Sequence, residues 1–223
     1  MNLELYIQNG LYIPFIFGII YFMSNNFFLS TIICLKLYPI NYFYWFNDYY
    51  HYKNIPRKFN WIKQFIRFTD SGHLASFIYY FYPSFLPISF NIHFLITFGY
   101  WVGKVCFGMK DADCIEDKII IKSVDNFVSI LNHSFPLIMI IYEINQDSTY
   151  AVFDYQNLFY SYVWGYSWIM FVYIPWIYIT DDYVYNVLYP NVPLTNKVCF
   201  IVILHIISFL SNIVGYYLTI VIS

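Results

Sequence analysis

Charged residues are absent from Leu5 to Leu35, from Ser71 to Gly103, from Asn126 to Tyr142, from Tyr155 to Thr180 and from Val198 to Ser223. A water-soluble helix shows a polar face within a turn or two, whereas a hydrocarbon core of about 30 Å needs about 20 apolar helical residues per crossing. Runs of this length exclude an ordinary soluble domain. Composition agrees, with 60% hydrophobic and only 11% charged residues. The expected fold is all-α, a polytopic integral membrane protein forming a single transmembrane domain over 1–223.

The run from Ser71 to Gly103 divides at Pro83, Ser84 and Pro87, because the residue before a proline is biased away from helix. Six transmembrane helices then follow, at about 11–35, 65–82, 88–107, 126–142, 155–177 and 198–221. Lys36, Lys53, Arg57, Lys58, Lys63 and Arg67 fall between or beside spans one and two, Lys104, Lys110, Lys118 and Lys122 between spans three and four, and Lys197 before span six. Six crossings put all of them on one side, the cytosolic side by the positive-inside rule. The other side carries only Glu4, Glu143, Asp147 and Asp154. Both termini are then expected on that lumenal or exterior side.

Several function classes drop out. The N-terminus has Glu4 and no basic stretch, so a cleaved secretory signal is not expected. Cys34, Cys106, Cys114 and Cys199 lie in spans or on the cytosolic side, which predicts no disulfide, and none stand at short zinc-ligand spacing. The basic connector is diluted with aromatic residues, which fits anionic lipid head groups rather than nucleic acid. Tyr42, Phe43, Tyr44, Trp45, Phe46, Tyr49, Tyr50 and Tyr52 read as an interfacial aromatic belt or, alternatively, as a substrate-entry surface.

Polar groups inside hydrocarbon are costly and face the bundle interior or a cavity. At a rise of about 1.5 Å per residue, His73 lies roughly 9 Å in from Arg67, His133 roughly 12 Å in from Asp125, and His205 roughly 12 Å in from Lys197. Three histidines from three spans are thus expected in one layer, with His93 entering from the opposite face and His51 in a connector. Thr69, Arg67, Asp70 and His73 share a face of span two, and Asp125, Ser129 and His133 a face of span four, with Asn132 adjacent. Asp70 either orients an imidazole or pairs with Arg67. Span six adds His205, Ser208, Ser211 and Asn212, of which the last three read as helix-packing glue, as do Gly99 and Gly103. The pattern favours no metal and no cofactor, since no histidine pair has single-helix ligand spacing, although imidazoles at one depth suit zinc or iron.

The segment Trp61-Ile62-Lys63-Gln64-Phe65-Ile66, the segment Leu131-Asn132-His133 followed by Pro136 and Glu143, and Trp164, Gly165 and Trp176 followed by Tyr189-Pro190 resemble the androgen-induced and androgen-dependent TFPI-regulating protein family. The resemblance runs from Asn60 onward. It implies an intramembrane hydrolase of fatty acid esters of hydroxy fatty acids, with a Thr nucleophile on span two and a His on span four. Aligned by its distance to Glu143, His133 is the counterpart of that His. The ungapped alignment puts Arg67 at the nucleophile position, and a guanidinium cannot attack an ester. Thr69 stands two residues on, about 200° around the helix.

Two readings follow. Either Thr69, or in second place Ser71, is a shifted nucleophile with His133 as base, within a supporting layer of Arg67, Asp70, His73, Asn132 and His205, or the chain keeps the fold as an inactive lipid-binding or scaffold protein. A small transporter or channel is a third class. The expected partners are membrane lipids and a fatty acid ester entering from the bilayer, and the expected location is the endomembrane system, at the endoplasmic reticulum or plasma membrane.

Overall fold

The computed structural model describes residues 3–46, 62–63, 65–109 and 119–222, with the side chains of 5, 6, 39, 42–46, 119–126 and 222 left aside. The side chains of the expected aromatic belt, His51, Trp61, Gln64, Cys114, most of the connector lysines and the Asp125 side chain therefore lie outside the described residues. All secondary structure among the described residues is helical. Three helical stretches are long and apolar enough to cross a membrane, Pro83–Phe107, Phe127–Gln146 and Leu194–Val221, matching predicted spans three, four and six.

The first predicted span is not one crossing. After the short helix α1 (Leu3–Gln8), residues 13–46 form a hairpin of α2 (Ile13–Ser24) and α3 (Phe27–Phe46). The turn is made by asparagines: Asn25 takes the left-handed conformation at φ 49°, and Asn26 Oδ1 accepts the Leu29 amide at 2.8 Å, capping α3. Tyr12 Oη donates to Asn41 Oδ1 at 3.0 Å, and Asn41 Nδ2 donates to the Gln8 carbonyl at 3.0 Å. These contacts place the start of the chain beside the second half of α3. At about 1.5 Å per residue, the 12 residues of α2 cover about 18 Å, less than a hydrocarbon core.

The stretch predicted as span two holds the 14-residue helix α4 (Phe68–Phe81), which starts three residues later than predicted. Tyr82 and the 3-10 turn Pro83–Phe85 then reverse the chain into α5 (Leu86–Phe107), as the prolines imply. The α5 helix is the axis of the bundle, with Phe90 and His93 fully buried. Gly72 of α4 faces it so closely that a methyl group there would collide with Ile96 and approach the His93 ring. Gly99 of α5 would bring a methyl within 2.9 Å of Leu204, so it sets the approach of the last helix, whereas Gly103 makes room for Met109.

The helix α6 (Ile119–Gln146) begins seven residues before the predicted span and carries Pro136 inside it. Predicted span five is α7 (Tyr155–Trp168), a π turn (Ile169–Tyr173) and α8 (Ile174–Thr180) in one rod. Pro175 explains the π turn, since its ring and missing N–H disrupt the regular i to i−4 ladder just upstream. The last helix, α9 (Leu194–Ile222), packs on α5. Asn91 Nδ2 donates to Ser161 Oγ at 3.1 Å and Asn212 Oδ1 at 3.2 Å, and Asn91 Oδ1 accepts from Ser211 Oγ at 2.9 Å. This network joins α5, α7 and α9, the glue read from the sequence of span six.

Candidate active site

The first turn of α4 is held from three directions. Arg67 is extended at ψ 148° and serves as N-cap, and the Asp70 carboxylate reaches back to accept the Arg67 amide at 3.0 Å. The other Asp70 oxygen pairs with Lys36 of α3. The Phe68 amide donates to Tyr185 Oη at 2.8 Å, across 117 residues of sequence. Three of the amides that a helix start leaves open thereby acquire acceptors, counting the tight 3.0 Å bond from Asp70 N to the Arg67 carbonyl.

Thr69, buried in that turn, places Oγ1 3.0 Å from Nε2 of His133 on α6. His133 Nδ1 lies 2.6 Å from the Ser129 carbonyl, which can only accept, so Nδ1 carries the proton. Nε2 is then the bare nitrogen, and the Thr69 hydroxyl donates to it. Tyr100 of α5 stacks on the imidazole with centroids 3.9 Å apart and planes at 15°, and Thr97 Oγ1 donates to the His133 carbonyl at 2.6 Å. The ring is thus fixed by a carbonyl, a neighbouring ring and its own helix. A hydroxyl hydrogen-bonded to an oriented imidazole is the arrangement that nucleophilic catalysis by a weak alcohol requires.

The dyad opens on a cavity of about 490 Å³ bounded by α4, α5, α7 and α9, with Phe68, Ile96, Tyr166 and Leu204 among its walls. On the other side of α4 lies a groove of about 1340 Å³ that Lys36, Asp70, Ser71 and His73 line. The expected convergence of Thr69, Asp70 and His73 does not occur, because α4 is a partition with Thr69 facing one space and the other two facing the second. Asp70 pairs with Lys36 and accepts the Arg67 amide, a tie to Arg67 through its main chain.

The three-histidine layer is also rearranged. His73 stacks on His93, centroids 6.2 Å apart, so His93 belongs beside His73 and not in a separate zone. His93 Nε2 lies 2.7 Å from Ser76 Oγ and 2.9 Å from the Gly72 carbonyl. Both ring nitrogens of His73 are buried without a hydrogen-bond partner among the described residues. The Asn132 Oδ1 atom is buried without a partner among the described residues. His205 lines the Thr69 cavity from its far side, bonded to Tyr166 Oη and the Ile201 carbonyl at 2.8 Å each, away from the other imidazoles. Among the described residues no three His, Cys, Asp or Glu gather as a metal site. Ser71 Oγ donates to the Phe68 carbonyl at 2.7 Å and lines the groove, not the dyad cavity.

Sequence reasoning missed Tyr100, Tyr185 and the Lys36 contact. Tyr100 lies four residues before Lys104 on α5 and could have been placed by helical phase, whereas nothing in the sequence singles out Tyr185, on the loop before α9. No protein family model, no curated protein and no solved structure matches this chain.

Proposed function

We propose that this chain is an intramembrane ester hydrolase with Thr69 as nucleophile and His133 as general base, acting on a long-chain fatty acid ester of the hydroxy fatty acid type. The observation that carries the reading is the 3.0 Å Thr69–His133 contact with the tautomer of His133 set by the Ser129 carbonyl. The surrounding cavity is built from aromatic and aliphatic side chains, which suits an acyl chain. The resemblance to the androgen-induced family supplies the same reaction class, with the nucleophile moved two residues from Arg67. The finer arrangement proposed with it is a bundle crossing an endomembrane, the endoplasmic reticulum or plasma membrane, with substrate arriving sideways from the lipid.

The chemistry balances on these two residues and water. Thr69 Oγ attacks the ester carbonyl carbon as its proton passes to His133 Nε2, and the carbonyl π pair moves onto oxygen. Collapse of the tetrahedral species expels the alkoxide, which takes the proton from Nε2, leaving acyl-Thr69 and a free hydroxy acid. Water attacks the acyl group with His133 again as base, and the fatty acid departs as Thr69 recovers its proton.

Alkyl fluorophosphonate labelling of membranes carrying the full chain tests this. The parent should take the label, and Thr69→Ala and His133→Ala should not. Absence of label on the parent, or label persisting in Thr69→Ala, would overturn the assignment and leave the non-catalytic lipid-binding reading.

A further inference from the structure

We propose that the Tyr185 hydroxyl is a catalytic hydrogen-bond donor to the carbonyl oxygen of the ester, the oxyanion-stabilising group of the Thr69–His133 site; the proposal rests on the hydrolase reading. Tyr185 Oη accepts from the Phe68 amide at 2.8 Å, so one lone pair is occupied while its own proton has no acceptor among the described residues. Phe68 precedes Thr69 directly, and Tyr185, Thr69 and His133 line the same cavity. An idle O–H beside the nucleophile, on the cavity that must hold the scissile carbonyl, is what acyl transfer needs when negative charge develops on oxygen. The Thr69 amide, in the same first turn, likewise has no acceptor among the described residues and adds a second donor.

The loop that carries Tyr185 is built to hold it. Val184 sits at φ 58°, a left-handed conformation that a β-branched residue reaches only under strain. Around it, Asp182 accepts the Val184 amide at 3.1 Å and the Trp176 indole N–H at 3.1 Å, and pairs with the buried Lys63 ammonium at 3.1 Å. Trp168 and Tyr173 pack beside the Tyr185 ring, with centroids at 6.4 and 6.1 Å. Strain held in place by this many fixed partners is characteristic of sites where one side chain must be aimed. Burial pushes the Tyr185 phenol up, partly offset by the Phe68 amide, so the group stays protonated and remains a donor.

The test is the second-order rate constant for phosphonylation of the purified full chain by an alkyl fluorophosphonate. Tyr185→Phe should lower it about 100-fold, the usual loss for one oxyanion donor. Because this variant also removes the Phe68 acceptor, a series of fluorotyrosines at 185 keeps the hydroxyl and varies only its acidity. The rate should rise as the phenol becomes more acidic, at pH values where it stays protonated. A parental rate in Tyr185→Phe, or a rate flat across the fluorotyrosine series, overturns the proposal while leaving Thr69 and His133 in place. A parent chain that takes no label removes the hydrolase reading and this donor together.

Discussion

Lys63 Nζ stands 3.1 Å from Asp182 Oδ2, and the lysine side chain keeps only 2% of its surface exposed. The pair ties the segment leading into α4 to the loop leading out of α8, and with the Phe68 amide bond to Tyr185 it holds the helix start bearing Thr69 against the loop bearing Tyr185. Removing the Asp182 carboxylate takes this countercharge from an ammonium held out of water. Asp182→Ala should therefore cost about 3 kcal/mol or more, and a lower melting temperature of the detergent-solubilised protein is the measurement.

The same lysine predicts a pH effect. Burial pushes its ammonium down to about 8, with the Asp182 carboxylate opposing and Arg67 reinforcing the fall. Between that value and the ordinary lysine value of about 10.4, the unfolded chain holds a proton that the folded chain has released. Stability contributed by this group thus rises with pH across that window and is least below it. Melting curves from pH 7.5 to 10.5 should show the parent gaining on Lys63→Met. A constant difference between the two would refute the assignment.

The proposed resemblance would put Arg67 at the nucleophile position, but here Arg67 is the N-cap of α4, and the dyad cavity is lined without it. A hydroxyl restored at 67 should not reach His133. The double variant Thr69→Ala/Arg67→Thr is expected to stay unlabelled by fluorophosphonate at the background rate of Thr69→Ala. Recovery of labelling would show that the alignment, rather than the 3.0 Å contact, identifies the nucleophile.

Asn91 is 1% exposed and bonds to Ser161, Asn212 and Ser211. Asn91→Leu removes one side chain but leaves three polar groups without it. The expected loss is about 1–3 kcal/mol, read from thermal unfolding, with phosphonylation little changed because none of the four residues bonds to the dyad.

Gly72 makes its prediction through sterics. Gly72→Ala should push α4 away from α5, costing about 1–3 kcal/mol and slowing the reaction at Thr69, while Ile96→Ala in the same chain should restore part of both. Stability and labelling rate measured on the single and double variants give the comparison.

Much of this is legible in the sequence. Unbroken apolar runs reveal helices long enough to cross lipid, and Pro83 and Pro87 locate the reversal before α5, because these signals are local. The choice of Thr69 and His133 came from helical phase together with a resemblance, and their contact joins positions 64 residues apart, which no local pattern encodes. The hairpin within predicted span one does carry a local signal: consecutive asparagines at 25 and 26 stop one helix and cap the next, but the apolar residues flanking them give the run the hydropathy of a continuous span. Tyr185 was out of reach because its role depends on how a loop after α8 folds back onto α4. Asp70 illustrates the remaining difficulty, since phase places it near Arg67 and His73, while the ion pair with Lys36 joins it to a different helix.

The π turn at Ile169–Tyr173 sets the indexing of everything downstream of it. One surplus residue rotates the following helix by about 100°, so the indole of Trp176 arrives facing Asp182 instead of a neighbouring direction. Deleting any single residue from that turn would take out the surplus position and, with Pro175 still interrupting the ladder, aim the whole distal arm wrongly. The distant tyrosine would lose its bearing with it.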